Sequence, residues 1–196
     1  MPRKKSLKKS ATDFIKKATE LEDFTNTAIS KLSDTHQSWC NDYAIIRLYR
    51  EFEQMMLSAI VGAINNDSTT ISKSTGVEFP KHLTDEVCEY LVLGGGYFDF
   101  KGRDGLIKTL KKYVPKDHYL VTIIKQHKYK ESLERLSALR NYAAHESKQS
   151  KRNVLSALGQ QRVASAGAWL KSQGRFKAIS RNLKQLAQEI HDSAPY

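Results

Sequence analysis

The stretch Leu133-Glu134-Arg135-Leu136-Ser137-Ala138-Leu139-Arg140-Asn141-Tyr142-Ala143-Ala144-His145-Glu146-Ser147 closes a long amphipathic run that no Pro or Gly interrupts. Apolar side chains at three- and four-residue spacing in such a run specify a helix with one buried face. Near its end the helix carries Arg140 and His145, a fixed cation and a titratable imidazole five positions apart. Arg stays charged at every relevant pH and forks onto phosphate oxygens. His takes and returns a proton near neutrality. The pair is the minimum chemistry for breaking an RNA phosphodiester without a metal.

Working outward, the same periodicity recurs along the chain. Phe14, Ile15, Ala18, Leu21, Phe24, Ala28, Ile29 and Leu32 predict a first helix from about residue 12. Ile45, Tyr49, Phe52, Met56, Ile60 and Ile64 form the inner stripe of a stronger helix from about Trp39 to Ile64. The Asn-, Ser- and Thr-rich segment from Asn65 to Thr75 reads as a loop. Thr84-Asp85-Glu86 opens a short helix to about Leu93, ended by Gly94-Gly95-Gly96. Tyr97-Phe98-Asp99-Phe100 is an aromatic connection. A helix from roughly Asp104 to Tyr113 follows, stopped by Pro115, and a long one from about Asp117 to Ala144 delivers the Arg-His pair. Ser150–Gln160 and Phe176–His191 add two more, with Trp169 and Leu170 between them. Strand-like alternation is scarce, so the expected fold is all-α. Residues 3–9 are too charged to pack, which predicts a basic flexible arm over residues 1–10 and a single helical domain over 11–196.

Composition narrows the partners. The 196 residues carry a net charge of +11, which points to a polyanion, with nucleic acid ahead of an anionic membrane surface. A purely solubilising charge is the plainer alternative. Cys40 and Cys88 have no metal-ligand spacing and suit a reducing compartment. Met1–Ser10 is basic but no apolar stretch follows it, so it does not read as a secretory signal. No run approaches a membrane span. The expectation is a cytoplasmic protein without membrane, metal or cofactor. His36, His82, His118, His127 and His191 show no metal spacing either.

Geometry limits what the pair can do. At about 100° per residue, Asn141 and His145 share a helical face, while Arg140 lies about 140° from His145. A straight helix cannot aim both at one phosphate. Either the helix unwinds around Ala143-Ala144, or two copies of the motif meet across a two-fold axis. In the plainer reading the motif is a helix C-terminus, with His145 near the last carbonyls and Arg140 paired to Glu134 or Glu146.

Spacing alone carries little, because chance gives roughly 0.3 Arg-x4-His pairs in a chain of this composition. The added Asn141, the Ala-Ala before His145 and the helical lead-in carry more. With them the chain resembles the HEPN superfamily, specifically the RiboL-PSP-HEPN-like ribonuclease domains with their Arg-Asn-x3-His motif. The segment Gly95-Gly96-Tyr97-Phe98-Asp99-Phe100 also resembles one found between the long helices of prokaryotic members. The resemblance implies a bundle of two long core helices with several shorter ones, and a metal-independent endoribonuclease with its cleft at a homodimer interface. In that mechanism His145 deprotonates a ribose 2′-OH, which attacks its own phosphate to leave a 2′,3′-cyclic phosphate. Arg140 stabilises the developing charge, and Asn141 orients the His or donates to a phosphate oxygen.

The resemblance also implies an acidic residue on an early helix that supports the pair. Glu53 or Glu51 would hold Arg140, and the plainer reading of Glu53 is a surface carboxylate beside Arg47 and Arg50. Tyr142 is either a base-stacking ring or a core tyrosine. Lys108, Lys111 and Lys112, with Lys148, Lys151 and Arg152, would carry the RNA backbone. Such domains act as toxins, in antiphage defence or in RNA processing, and many of the toxins are restrained by an antitoxin. The alternative is a non-catalytic HEPN module that binds RNA or a nucleotide, or mediates assembly. A basic helical DNA-binding protein is a third reading, for which no helix-turn-helix signature appears.

Overall fold

Ser6 caps the first helix, α1 (Leu7–Ile29), its Oγ accepting the Lys9 N–H at 3.3 Å. The computed structural model describes residues 6–195. Leu7 and Ala11 are buried against the core, so Leu7–Ser10 belong to the helix and not to an arm. One turn of charged sequence is ordered because a single leucine in it has somewhere to pack. The rest of the expected arm, residues 1–5, lies outside the described residues.

A four-residue span leads to α2 (Asp34–Asn66), whose N-cap is Ser33. Its C-terminal half is buried on almost every side, from Met55 to Asn65. Such a helix has to lie at the centre of the bundle. The stretch read as a loop instead continues α2 through Asn66 and then forms α3 (Thr69–Thr75). Asp67 Oδ1 accepts the Thr69 N–H at 2.9 Å, and Ile71 is buried, which holds this short turn in place. Next come α4 (Asp85–Leu93) and α5 (Gly102–Tyr113).

The expected long helix is two. α6 (Tyr119–Lys125) ends one residue before α7 (His127–His145) begins, with Gln126 at φ −57°, ψ 135° between them. Neither Pro nor Gly marks this break. Arg103 from α5 makes it: its Nε donates to the Ile124 carbonyl at 3.0 Å and its Nη2 to that of Lys125, satisfying the groups a continuing helix would have used. Gln126 Nε2 is held by Glu189 at 2.8 Å. The chain ends in α8 (Lys148–Leu158), α9 (Ala166–Leu170) and α10 (Arg175–Ser193).

The fold is all-α, and among the described residues there is no strand. α1 packs on α2 and α10, while α7 lies against α2, α8, α5 and α10. The buried apolar side chains form one continuous cluster. α9 approaches α2 so closely that a Cβ on Gly167 would lie 1.8 Å from the Ser38 carbonyl oxygen, and the Gly167 N–H donates to Asp42 Oδ1 at 2.6 Å. Cys40 and Cys88 form no disulfide. Among the described residues no helix is long and apolar enough to cross a membrane.

Candidate functional site

α7 remains helical through His145, and the chain turns only at Glu146, which adopts left-handed backbone at φ 44°. The helix therefore does not unwind around Ala143-Ala144, and the geometric separation of Arg140 from His145 stands. Arg140 points toward α2. Its guanidinium carbon lies 4.4 Å from the centroid of the Tyr49 ring, and Nη1 donates to Asn141 Oδ1 at 2.7 Å. An arginine over a ring face keeps its edge free for an anion.

Tyr49 is itself fixed. It stacks on Phe100 with ring centroids 4.9 Å apart and donates its hydroxyl proton to Asp99 Oδ1 at 2.6 Å, with the Phe100 carbonyl 3.1 Å away. Burial, reinforced by the bond to Asp99, pushes the Tyr49 hydroxyl far above the usual tyrosine range, so the ring stays neutral beneath Arg140.

Glu53, one turn beyond Tyr49 on α2, completes this corner. Burial raises its carboxyl to about 7; the Asp99 charge adds to the rise, and Arg140 and Arg50 oppose it. Its Oε1 is buried without a hydrogen-bond partner among the described residues. Glu53, Asp99 and Arg140 line one open cleft of about 500 Å³, with Tyr97 at its rim. The expected alternative, Glu51, is placed elsewhere: it pairs with Lys17 at 2.8 Å and Arg47 at 2.6 Å on the α1 side. Glu134 accepts the Arg103 N–H at 3.1 Å, and Glu146 lies near enough to Asp42 to raise its carboxyl further, so neither is the partner of Arg140.

His145 is different. It is the exposed last residue of α7, and it makes no side-chain hydrogen bond, ion pair or ring contact among the described residues. Lys148, Lys151 and Arg152 follow it on α8, all exposed. Lys111 and Lys112 sit in the last turn of α5, at the end opposite the α5 start that meets Glu134. Tyr142 is the core tyrosine of the two readings: it is buried and donates its hydroxyl to the Ala164 carbonyl at 3.1 Å, which leaves no face for a base.

A larger groove of about 1070 Å³ runs along the other side of α7. Lys101, Lys128 and Lys130 line it with Glu131, Glu134 and Asn141, and Asp99 borders both this groove and the Arg140 cleft. Sequence reading missed these lysines, and it also missed Tyr49 and Asp99 as site residues. A signal for Asp99 was present: in Tyr97-Phe98-Asp99-Phe100 the two Phe are buried and Tyr97 and Asp99 are exposed, the period of an extended segment. Among the described residues no group of three or more His, Cys, Asp or Glu could hold a metal ion.

Compared with protein-family models, curated proteins and solved structures, the chain gives no significant match.

Proposed function

We propose that this chain is a HEPN-type, metal-independent endoribonuclease whose active site is completed by a second copy. The observation that carries the reading is the continuity of α7. It holds Arg140 inward over Tyr49 and leaves His145 exposed and unpartnered at the helix end. One copy supplies a preorganised phosphate-binding cation and the other the imidazole, and two-fold symmetry makes the arrangement reciprocal. His145 takes the 2′-OH proton, the 2′ oxygen attacks the adjacent phosphorus, and Arg140 stabilises the charge that gathers on the phosphoryl oxygens. Lys148, Lys151 and Arg152 extend from the His145 corner as contacts for the RNA backbone.

The test is RNA cleavage in EDTA with end-group analysis. Wild type yields 2′,3′-cyclic phosphate ends, and Arg140→Ala and His145→Ala each reduce the rate by about 10²–10⁴-fold. Mixing the two inactive variants as refolded dimers restores about a quarter of wild-type activity, because half the dimers then hold one intact Arg-His pair. Loss of activity in either variant without rescue in the mixture removes the shared-site geometry. Cleavage that survives both changes removes the assignment.

The lysine-lined groove along α7 favours one second reading, a module that binds RNA without cutting it. Its mark is salt-dependent binding that Lys101→Ala and Lys130→Ala weaken and His145→Ala leaves unchanged.

A further inference from the structure

The cleft that receives Arg140 holds an imbalance of charge. Its lining contains three carboxylates, Glu53, Glu89 and Asp99, against the single guanidinium. A phosphate drawn to Arg140 brings a further negative charge into this space, and the arrangement relaxes when one carboxylate takes up a proton. The three are not equivalent. Asp99 accepts the Tyr49 hydroxyl at 2.6 Å, so its Oδ1 is already engaged. Glu53 has a buried Oε1 with no partner among the described residues, and its side chain lines the cleft beside Arg140.

We propose that Glu53 is the general acid of the cleavage reaction, delivering a proton to the 5′ oxygen of the phosphate held by Arg140. This rests on the ribonuclease reading above. The step balances simply. The 2′ oxygen forms its bond to phosphorus as its proton passes to His145 of the second copy. The phosphorus–O5′ bond breaks, and the Glu53 proton goes to the departing oxygen, leaving a 5′-OH and a Glu53 carboxylate that regains its proton from water. The groups facing Glu53 are Arg140 on α7, Asp99 and Tyr97 in the connection after α4, Glu89 on α4, and Tyr49 and Arg50 on its own helix. Burial already sets its carboxyl to about 7, so a large share of the molecules carry the proton at neutral pH before any substrate arrives.

A sulfur leaving group separates acid catalysis from every structural role, because a thiolate departs without a proton. The test uses an RNA whose cleavage position has been mapped with the wild-type protein, resynthesised with sulfur in place of the bridging 5′ oxygen at that bond. Glu53→Gln should cleave the ordinary RNA about 10²–10³-fold more slowly and the sulfur RNA within about fivefold of wild type. His145→Ala should slow both. The wild-type rate falls on the alkaline side as Glu53 loses its proton; Glu53→Gln lacks that limb, and Glu53→Asp, which keeps the acid at shorter reach, retains it at a lower rate. Equal losses on both RNAs, or ordinary cleavage within threefold of wild type, overturn the proposal while leaving the ribonuclease reading intact. A wild-type protein that leaves both RNAs whole overturns the ribonuclease reading itself, and the general acid with it.

Discussion

Arg140 and His145 stand five residues apart on one helix and in opposite surroundings. Arg140 rests on Tyr49, bonded to Asn141, at a cleft that also holds Glu53 and Asp99. His145 ends the helix in solvent, one residue before a left-handed turn. The first is held by α2 and by the segment around Phe100, so its geometry exists before any ligand arrives. The second makes no side-chain hydrogen bond, ion pair or ring contact among the described residues. Preorganised cations lower a barrier because no reorganisation is needed during reaction, whereas an exposed imidazole gains orientation only from another body. The difference teaches that one helix can fix one of its polar side chains by packing and leave another, five residues on, to solvent.

The contrast can be broken most severely where the wall behind the His145 corner is built. Gly167→Ala drives a Cβ toward the Ser38 carbonyl oxygen, which backbone cannot yield cheaply, and should cost about 3 kcal/mol or more. Chemical denaturation measures it, and a cost under 1 kcal/mol would mean α9 is free to move away from α2. The contrast itself is sharpened by comparing two truncations in the same assay. Arg140→Ala strips the cation from between Tyr49, Glu53 and Asp99 and should cost about 1–2 kcal/mol, while His145→Ala should stay within about 0.5 kcal/mol. Equal effects would show that the two ends are not in different environments.

Tyr49→Phe keeps the ring under Arg140 and removes the hydroxyl, taking away the bond to Asp99 and leaving the Phe100 carbonyl with only the Gly102 N–H. About 1–1.5 kcal/mol is expected, read from melting in paired scans. The pH dependence of Glu53 is a finer probe. Its folded value of about 7 lies above its ordinary 4.5, so the folded chain binds the extra proton between these values, and stability falls as pH rises through that window. Glu53→Gln removes the fall. After solvent screening of a partly exposed group the difference amounts to about 1 kcal/mol, appearing between pH 4.5 and 7. Smallest of all, Glu146→Gly places a residue suited to left-handed backbone at φ 44° and should raise stability by about 0.5 kcal/mol, measured by the same unfolding curves. A loss would show that the Glu146 side chain contributes more at this turn than its strained backbone costs.

Much of the architecture was legible because it depends on local patterns. The stripe from Ile45 to Ile64 could satisfy itself only as a helix buried on one side, and the gap of 140° between Arg140 and His145 follows from helical geometry alone. Thr84 and Gly94 marked the ends of α4 through their capping and left-handed preferences. The readings that failed were those in which a distant group supplied the deciding contact. Residues 117–144 are one helix by pattern and two in the fold, because Arg103, from another helix, satisfies the carbonyls at the break. The polar stretch after Asn65 became α3 because Ile71 found a place in the core.

The choice between Glu51 and Glu53 divides in the same way. Two residues apart on a helix, they face directions about 160° apart, and which direction holds Arg140 depends on where α7 packs. α1 claimed Glu51 through Lys17, and α7 brought Arg140 to Glu53. Sequence by itself determined the all-α class, most of the helices and the presence of a fixed cation and an imidazole that a straight helix keeps apart, since all of these follow from neighbours along the chain. Only the tertiary structure decided where helices stop, which carboxylate meets Arg140 and that Tyr49 lies beneath it, since each depends on groups tens of residues away that packing alone brings within a few ångströms.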